Sequence, residues 1–313
     1  MKILIGGANG QDGKHLIHIS LKHGNSVVGV IRQDGIQPSW VNDCEYLVED
    51  FIDSRNSGIV LDKISPDIIF HVAAKHANSS DMLNFQRDHS IEIFKSSVDI
   101  SRNILEWQKK NLGSKSVIAL SSHMYSGIET DHLVNENCLP SPITDYGKAK
   151  VETHTLIKDY RRLFNVNSGG AILFNHSSQF GRTDFIFPVL ASQICSVLLN
   201  STTEIRLRNF ESRIDISDAQ EICEAMYKMS QQSLLEDFVL GSGKSWNLRA
   251  VTLKVLNHFN VTAEINLIST DKIRQPVPVL TSDINKAKIS LGWSPQIDPV
   301  ALLIKLVSQR LSN

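Results

Sequence analysis

Apolar residues fall in short runs that alternate with helix-spaced ones from the first residues onward. Ile3, Leu4 and Ile5 form a run suited to a strand buried on both faces. Leu16, Ile17, Ile19 and Leu21 then recur at helical spacing until Gly24, which suits the residue just past a helix end. Strand-like runs return at Ser26–Ile31, Glu45–Val48, Pro66–Ala74, Ser116–Leu120 and Gly170–Phe174. Between them, Val98, Ile100, Ile104, Leu105 and Trp107 mark a long helical stretch, and a further helix runs after Lys150 to about Phe164. This alternation predicts parallel βαβ units. The rhythm then weakens. Residues 177–212 and 244–300 are richer in Ser, Thr, Asn and Pro, and predict a smaller lobe over the same sheet edge.

Between the first strand and the first helix lies Gly6-Gly7-Ala8-Asn9-Gly10-Gln11-Asp12-Gly13. A strand, a tight glycine turn and a helix N-terminus together cradle a pyrophosphate: backbone comes close, and free N–H groups point at the anion. The expected fold is therefore α/β, a doubly wound parallel sheet of the Rossmann type with a smaller C-terminal substrate-binding lobe. Residues 1–174 make the dinucleotide-binding domain. Residues 175–313 make mainly the smaller lobe, interleaved with the first, and can still add strands to it.

Composition narrows the class. The chain has 313 residues, 42% hydrophobic and 21% charged, with a formal net charge of −1, which argues against a nucleic-acid or anionic-membrane surface. No apolar run approaches a membrane span, and the glycine turn comes too early for a signal peptide. Four cysteines lie scattered without a C-x-x-C, as expected of reduced thiols in a cytoplasmic protein. The eleven histidines form no metal-type cluster, so no metal is expected.

The candidate chemistry sits at strand ends. Gly7, Gly10 and Gly13 have the spacing G-x-x-G-x-x-G, with Gln11 and Asp12 inside the turn. The second strand ends in Arg32 rather than an acid, which favours NADP(H) over NAD, the alternative being a solvated arginine. Asp50 and Phe51 follow the third strand and would border the adenine; Ala73 and Ala74 leave room for cofactor backbone contacts. His71 and His76 read as structural residues of a strand end. The fifth strand delivers Ser121-Ser122-His123 to its C-terminal end, where open α/β sheets bind ligands. Tyr146 and Lys150 are four apart, on one helix face. A phenol of pKa about 10 is a poor base at neutral pH, and a neighbouring ammonium is expected to lower it. Tyr146 could then exchange a proton with a sugar hydroxyl, Ser121 hydrogen-bonding the same oxygen.

With these residues in place, the chain resembles the extended short-chain dehydrogenases/reductases that act on nucleotide sugars. It is most similar to the GDP-mannose 4,6-dehydratases and the neighbouring GDP-4-keto-6-deoxymannose reductases. Gly10-Gln11-Asp12-Gly13, Ile172-Leu173-Phe174-Asn175-His176, Phe238-Val239-Leu240-Gly241-Ser242-Gly243 and Leu291-Gly292-Trp293 resemble the dehydratases; Asp184-Phe185-Ile186-Phe187-Pro188 and Val277-Pro278-Val279-Leu280 resemble the reductases. The resemblance implies Ser121, Tyr146 and Lys150 as the catalytic set, with Lys150 also on the nicotinamide ribose. It places Ser122 and Asn175 on the substrate, with Arg213 and Arg274 on the nucleotide or its phosphates. It further implies a nucleotide-diphosphate sugar, GDP-linked by preference, and a homodimer or homotetramer.

One position departs from the pattern. The dehydratases carry a Glu two residues after the catalytic Ser/Thr, to remove the C5 proton, and this chain has His123. Either the imidazole is the base, or the enzyme is a 4-keto reductase or an epimerising reductase, or His123 only packs under the sugar. A non-catalytic dinucleotide sensor is the remaining alternative, against which stands the retention of Ser121, Tyr146 and Lys150.

Overall fold

Seven strands form one parallel sheet in the computed structural model, which describes residues 1–31, 44–74, 87–271 and 278–312. In chain order the strands are β1 (Lys2–Gly6), β2 (Ser26–Ile31), β3 (Glu45–Val48), β4 (Ile68–His71), β5 (Lys115–Ser121), β6 (His132–Val134), β7 (Asn167–Leu173), β8 (Asn175–Ser177), β9 (Glu204–Leu207), β10 (Arg213–Ile214), β11 (Ile216–Asp218), β12 (Phe238–Leu240), β13 (Trp246–Asn247), β14 (Asn266–Ser269) and β15 (Leu280–Ser282). The helices are α1 (Gln11–Lys22), α2 (Ser54–Ile64), α3 (Arg87–Phe94), α4 (Ile100–Gln108), α5 (Asp145–Phe164), α6 (Ile186–Leu198), α7 (Ala219–Ser230), α8 (Leu248–His258), α9 (Asn285–Leu291) and α10 (Pro299–Leu311). The sheet order is β12-β7-β5-β4-β1-β2-β3. It reverses direction at β1, which opens a crevice at the strands' carboxyl ends.

The alternation of β1 explains why its apolar run is continuous. Ile3 and Ile5 join a core with Leu16 and Ile17 of α1 and Ile222 and Met226 of α7. Leu4 points the other way, into a core with Leu61 of α2 and Ile104 and Trp107 of α4. Both faces are covered by helices, so strand positions on both faces must be apolar. A third cluster seats Ile157 and Tyr160 of α5 against Ile118, Leu120 and Ile172.

Several elements differ from the sequence expectation. The fourth strand is shorter, Ile68–His71; beyond it the Val72 N–H still donates to the Gly6 carbonyl at 3.0 Å and Ala73 packs against Gly7. The long helical stretch is broken by a π-turn at Lys95–Asp99. Helix α5 starts at Asp145, with the Thr144 hydroxyl accepting from the Gly147 N–H at 3.0 Å as its N-cap. The second half of the chain contributes to the large sheet, as the expectation left open: β12 pairs with β7, and α7 covers α1. The remaining short strands pair as β8 with β11, β6 with β15, and β9 with β14, all parallel, and β10 with β13, antiparallel. A separate core joins α6, α8, α10 and β9 through Leu190, Ile194, Ile205, Val251, Leu302 and Leu306.

Candidate active site

The glycine turn is built by close backbone approach. Gly7 has φ +89°, and a Cβ there would lie 2.7 Å from the Ala73 nitrogen. A Cβ on Gly13 would lie 2.2 Å from the Gly7 carbonyl oxygen, so α1 can start this close to β1 only with glycine. Gly10 is the N-cap of α1 and brings no side-chain cap, leaving first-turn N–H groups for an anion. Gln11 ties this turn to the second half of the chain. Its Oε1 accepts from the Ser178 N–H at 2.9 Å and from the Ser178 hydroxyl at 3.2 Å. Asp12 Oδ1 lies 3.0 Å from His176 Nε2, and His176 Nδ1 lies 2.7 Å from the Phe174 carbonyl. Burial disfavours the His176 cation, but the Asp12 charge and these acceptors outweigh it and raise the imidazole to about 8.

The residues expected to be catalytic sit at the end of β5 and the start of α5. Ser121 ends β5, and its hydroxyl accepts from the His123 N–H at 3.2 Å, which turns the chain into the short 3-10 helix Ser122–Tyr125. Tyr146 and Lys150 lie in the first two turns of α5 and are 7% and 2% exposed. The Lys150 ammonium donates to the Ala119 carbonyl at 2.9 Å and stands 5.6 Å from the Tyr146 ring centre. Here one expectation is corrected. Burial pushes the Tyr146 phenol above its ordinary value, with the Ser121 hydroxyl pulling the other way, so the side chain rests as a phenol and not a phenolate. The same burial lowers Lys150 to about 8. The expected pull of ammonium on phenol is outweighed because both groups have lost water.

His123 meets Tyr146 edge-on, ring centres 5.5 Å apart at 81°. Its ring is solvent-accessible, yet it stands in the cleft wall with protein on most sides, and that burial lowers the imidazole from its ordinary value. At neutral pH it is a free base. His71 ends β4, and burial first, then the Lys150 charge, lowers it to about 3.

One cleft of about 880 Å³ brings most of the expected residues together. Gly7, Gly10, Gln11, Asp12, Gly13, Asp50, Phe51, Ala73 and Ala74 line it beside Ser121, Ser122, His123, Tyr146, Lys150 and Asn175. Arg213 does not line it. Its guanidinium donates to the Ser245 hydroxyl and carbonyl, and it lines an adjoining cavity of about 190 Å³ that shares Ser122, His123 and Asn175. Arg32, Arg274 and His76 lie outside the described residues. The sequence reading passed over His176, Arg182 and Arg208, which also line the large cleft. His176 stood in the quoted Asn175-His176 motif, but its partner Asp12 is 164 residues away. Among the described residues no group of three or more His, Cys, Asp or Glu could hold a metal ion. None of their helices is long and apolar enough to cross a membrane.

Known proteins share this organisation. The fold is similar to that of UDP-glucose 4-epimerase from Thermotoga maritima, solved with UDP-glucose: TM-score 0.85, 18% identity, covering 100% of this chain and 99% of that one. It is also similar to dTDP-glucose 4,6-dehydratase from Bacillus anthracis, solved with NAD: TM-score 0.83, 14% identity, covering 100% and 97%. The sheet with its glycine turn at the reversal point, and a Ser, Tyr and Lys gathered at the same edge, are set in the fold of these nucleotide-sugar epimerases and dehydratases. The chain is 24% identical over 333 residues to GDP-mannose 4,6 dehydratase 1 of Arabidopsis thaliana, covering 98% of this chain and 89% of that protein. The family model for GDP-mannose 4,6 dehydratase matches residues 4–305, and the chain belongs to that family.

Proposed function

We propose that the protein is an NADP(H)-dependent 4,6-dehydratase of a GDP-mannose-type sugar, oxidising C4, eliminating water across C5 and C6, and reducing C6. The observation that carries this reading is the convergence of Ser121, His123, Tyr146 and Lys150 in the cleft that also holds the glycine turn. The glycines whose Cβ atoms would collide with backbone, and the uncapped N-terminus of α1, fit a dinucleotide pyrophosphate. Arg32 is the reason to prefer NADP(H). When bound, a nicotinamide dinucleotide supplies the hydride acceptor and donor and, when oxidised, a positive charge beside the phenol.

The chain's own groups handle the protons. Ser121 and Tyr146 hold the C4 oxygen. Tyr146 must lose its proton before it can take one from the C4 hydroxyl, and the Lys150 ammonium favours the phenolate that results. Neutral His123 takes the C5 proton and passes it to the C6 hydroxyl, which departs as water; when hydride returns to C6, His123, recharged with a proton from water, protonates the enolate at C5. Asn175 and Arg213 line the adjoining cavity, which supports their assignment to the substrate. The absence of a carboxylate at His123 favours a second reading, an NADPH-dependent 4-keto-6-deoxy-sugar reductase, which needs no C5 base.

The protein mixed with GDP-, dTDP-, UDP- and CDP-sugars, with products read by mass, tests the proposal. Loss of one water with no net cofactor consumption is the expected outcome. A gain of two hydrogens with NADPH consumed would replace it by the reductase. No turnover with any sugar would leave a dinucleotide-binding sensor. The cysteines Cys44, Cys138, Cys195 and Cys223 are free, in keeping with a cytoplasmic enzyme, and sedimentation would test the implied homodimer or homotetramer.

A further inference from the structure

The glycine turn carries an acid at the point where a helix end attracts anions. Asp12 lies in the first turn of α1 and lines the cleft. A carboxylate there shares the helix dipole that a pyrophosphate needs, and it repels the pyrophosphate. A counter-charge arrives from the far half of the chain. His176, in β8, sets Nε2 at 3.0 Å from Oδ1 and 3.2 Å from Oδ2 of Asp12, and Nδ1 at 2.7 Å from the Phe174 carbonyl. A carboxylate and a carbonyl only accept. Both ring nitrogens must therefore donate, and a histidine with two N–H groups is an imidazolium.

The groups packed around the pair leave this role to His176. On α1, His15 is buried, and that burial holds its ring neutral at pH 7. From α7, the Cys223 thiol reaches the Asp12 carbonyl at 3.5 Å, and burial pushes the thiol up, so it keeps its proton. At the end of β11, the buried Asp218 adds a second negative charge, which Lys305 of α10 meets at 2.8 Å. Tyr146 also feels the Asp12 charge. Beside the pair, the Gln11 Oε1 accepts from Ser178 at 2.9 Å and 3.2 Å and fixes the turn against the end of β8.

We propose that His176 is the counter-cation of the cofactor turn: it cancels the Asp12 charge and so lets the start of α1 accept the diphosphate of a nicotinamide dinucleotide. This rests on the dinucleotide reading of the cleft. Binding of the diphosphate favours the charged imidazole, so affinity is full below the free ring's value of about 8 and falls as pH rises through it. Lys150 is also lowered to about 8, so the variants carry the distinction.

The test is NADPH affinity by fluorescence titration from about pH 7 to about pH 9.5, where the ligand's own phosphates stay ionised. Wild type should lose about 5- to 50-fold over this range, the order expected of one unit charge beside a diphosphate at the edge of solvent. His176→Gln keeps a donor without the charge. It should be weaker by the same factor at pH 7 and meet wild type at the alkaline end. Asp12→Asn needs no counter-charge. It should bind within about threefold of wild type at pH 7 and lose less than wild type above about pH 8, although it keeps Lys150. The double variant should recover most of what His176→Gln lost. A purely structural tether gives the opposite sign at Asp12: both single variants break the same bond and would weaken NADPH alike, which would overturn the proposal. The His176 ring, followed by NMR, should titrate at about 8 in wild type and well below that in Asp12→Asn; a wild-type ring that is neutral at pH 7 also overturns it. If His176→Gln does not fold, the wild-type and Asp12→Asn profiles decide, and parallel profiles overturn it. Protein that binds neither NADPH nor NADH would remove the dinucleotide reading and this proposal together; NADPH binding that ignores both substitutions removes the proposal alone.

Discussion

Gly147→Ala should separate the stability of this protein from its turnover. Gly147 lies between Tyr146 and Lys150 in α5, where a Cβ would meet the His123 carbonyl oxygen at 2.4 Å and the Pro142 Cβ at 3.1 Å. The oxygen is main chain and cannot swing away. Reaching ordinary contact needs a retreat of about 1 Å between the start of α5 and the turn after β5, one carrying Tyr146 and Lys150 and the other Ser121 and His123. Overpacking of this kind costs about 1–3 kcal/mol, and alanine returns about 1 kcal/mol through helix propensity. The net loss is about 0–2 kcal/mol, a melting temperature lower by at most about 4 °C in a chain of this size. The chemistry is far more sensitive, since a 1 Å misplacement of reacting groups costs about 100-fold in rate. Thermal melting, cofactor binding and turnover on the sugar identified by the panel should show a nearly stable, cofactor-binding variant with kcat down by about two orders of magnitude. A folded variant with kcat within threefold of wild type would refute the idea that the α5–β5 contact sets the geometry of the site.

Other outcomes follow from the same structure. Tyr146→Phe should lose about 10²- to 10⁴-fold in turnover while cofactor binding persists; near-normal turnover would place the proton transfer elsewhere. His123→Ala should abolish elimination yet still permit C4 oxidation, seen as transient reduced-cofactor absorbance, and deuterium exchange at C5 that continues unchanged would remove His123 as the base. Because burial holds the His123 imidazole below its ordinary value, activity should persist as pH falls through 6.5 and decline only below it. Arg32→Asp should weaken NADPH strongly, a contact becoming a repulsion, and equal wild-type affinity for NADH and NADPH would refute the preference. His71 and His15 are held by burial at about 3 and about 4, below the unfolded value near 6.5. Their contribution is present in full above pH 6.5. It is lost as pH falls below that, by about 1.4 kcal/mol per pH unit for each histidine. Denaturant unfolding at pH 7 and pH 5 should show this, and His71→Gln should flatten the slope.

What the sequence made legible was local. The strand, glycine turn and helix of residues 2–22 lie within one short stretch, and Tyr146 and Lys150 declare their shared face through a spacing of four. The start of α5 was legible too, in the cap Thr144 and the acidic Asp145, but only to a reading that looked upstream of the Tyr. The π-turn at Lys95–Asp99 left no mark, because its residues keep helical polarity. What the sequence could not carry was distance and dielectric. The Lys150 charge was visible beside Tyr146, but the burial that outweighs it was not. Phe238–Leu240 is too short a run to declare itself the edge strand next to β7. Arg208 looks like one more surface arginine until β9 and β14 are paired.

Helix α1 cannot finish folding early. Its buried side, Leu16, Ile17 and Ile19, is closed by Ile222, Met226 and Met229 of α7, the Cys223 thiol reaches the Asp12 carbonyl at 3.5 Å, and Tyr227 accepts from Asn25 at 2.9 Å. These contacts span some two hundred residues, so the loop they close is entropically expensive and forms late. During synthesis the first βαβ units leave the ribosome with an apolar stripe bare, and at roughly 5–20 residues per second it stays bare for about ten seconds or more before α7 emerges. A truncation after residue 174 would keep that stripe exposed permanently. The nascent chain's exposure to aggregation and chaperones is thus written into the position of α7, and substitutions there should lower yield before they touch the chemistry.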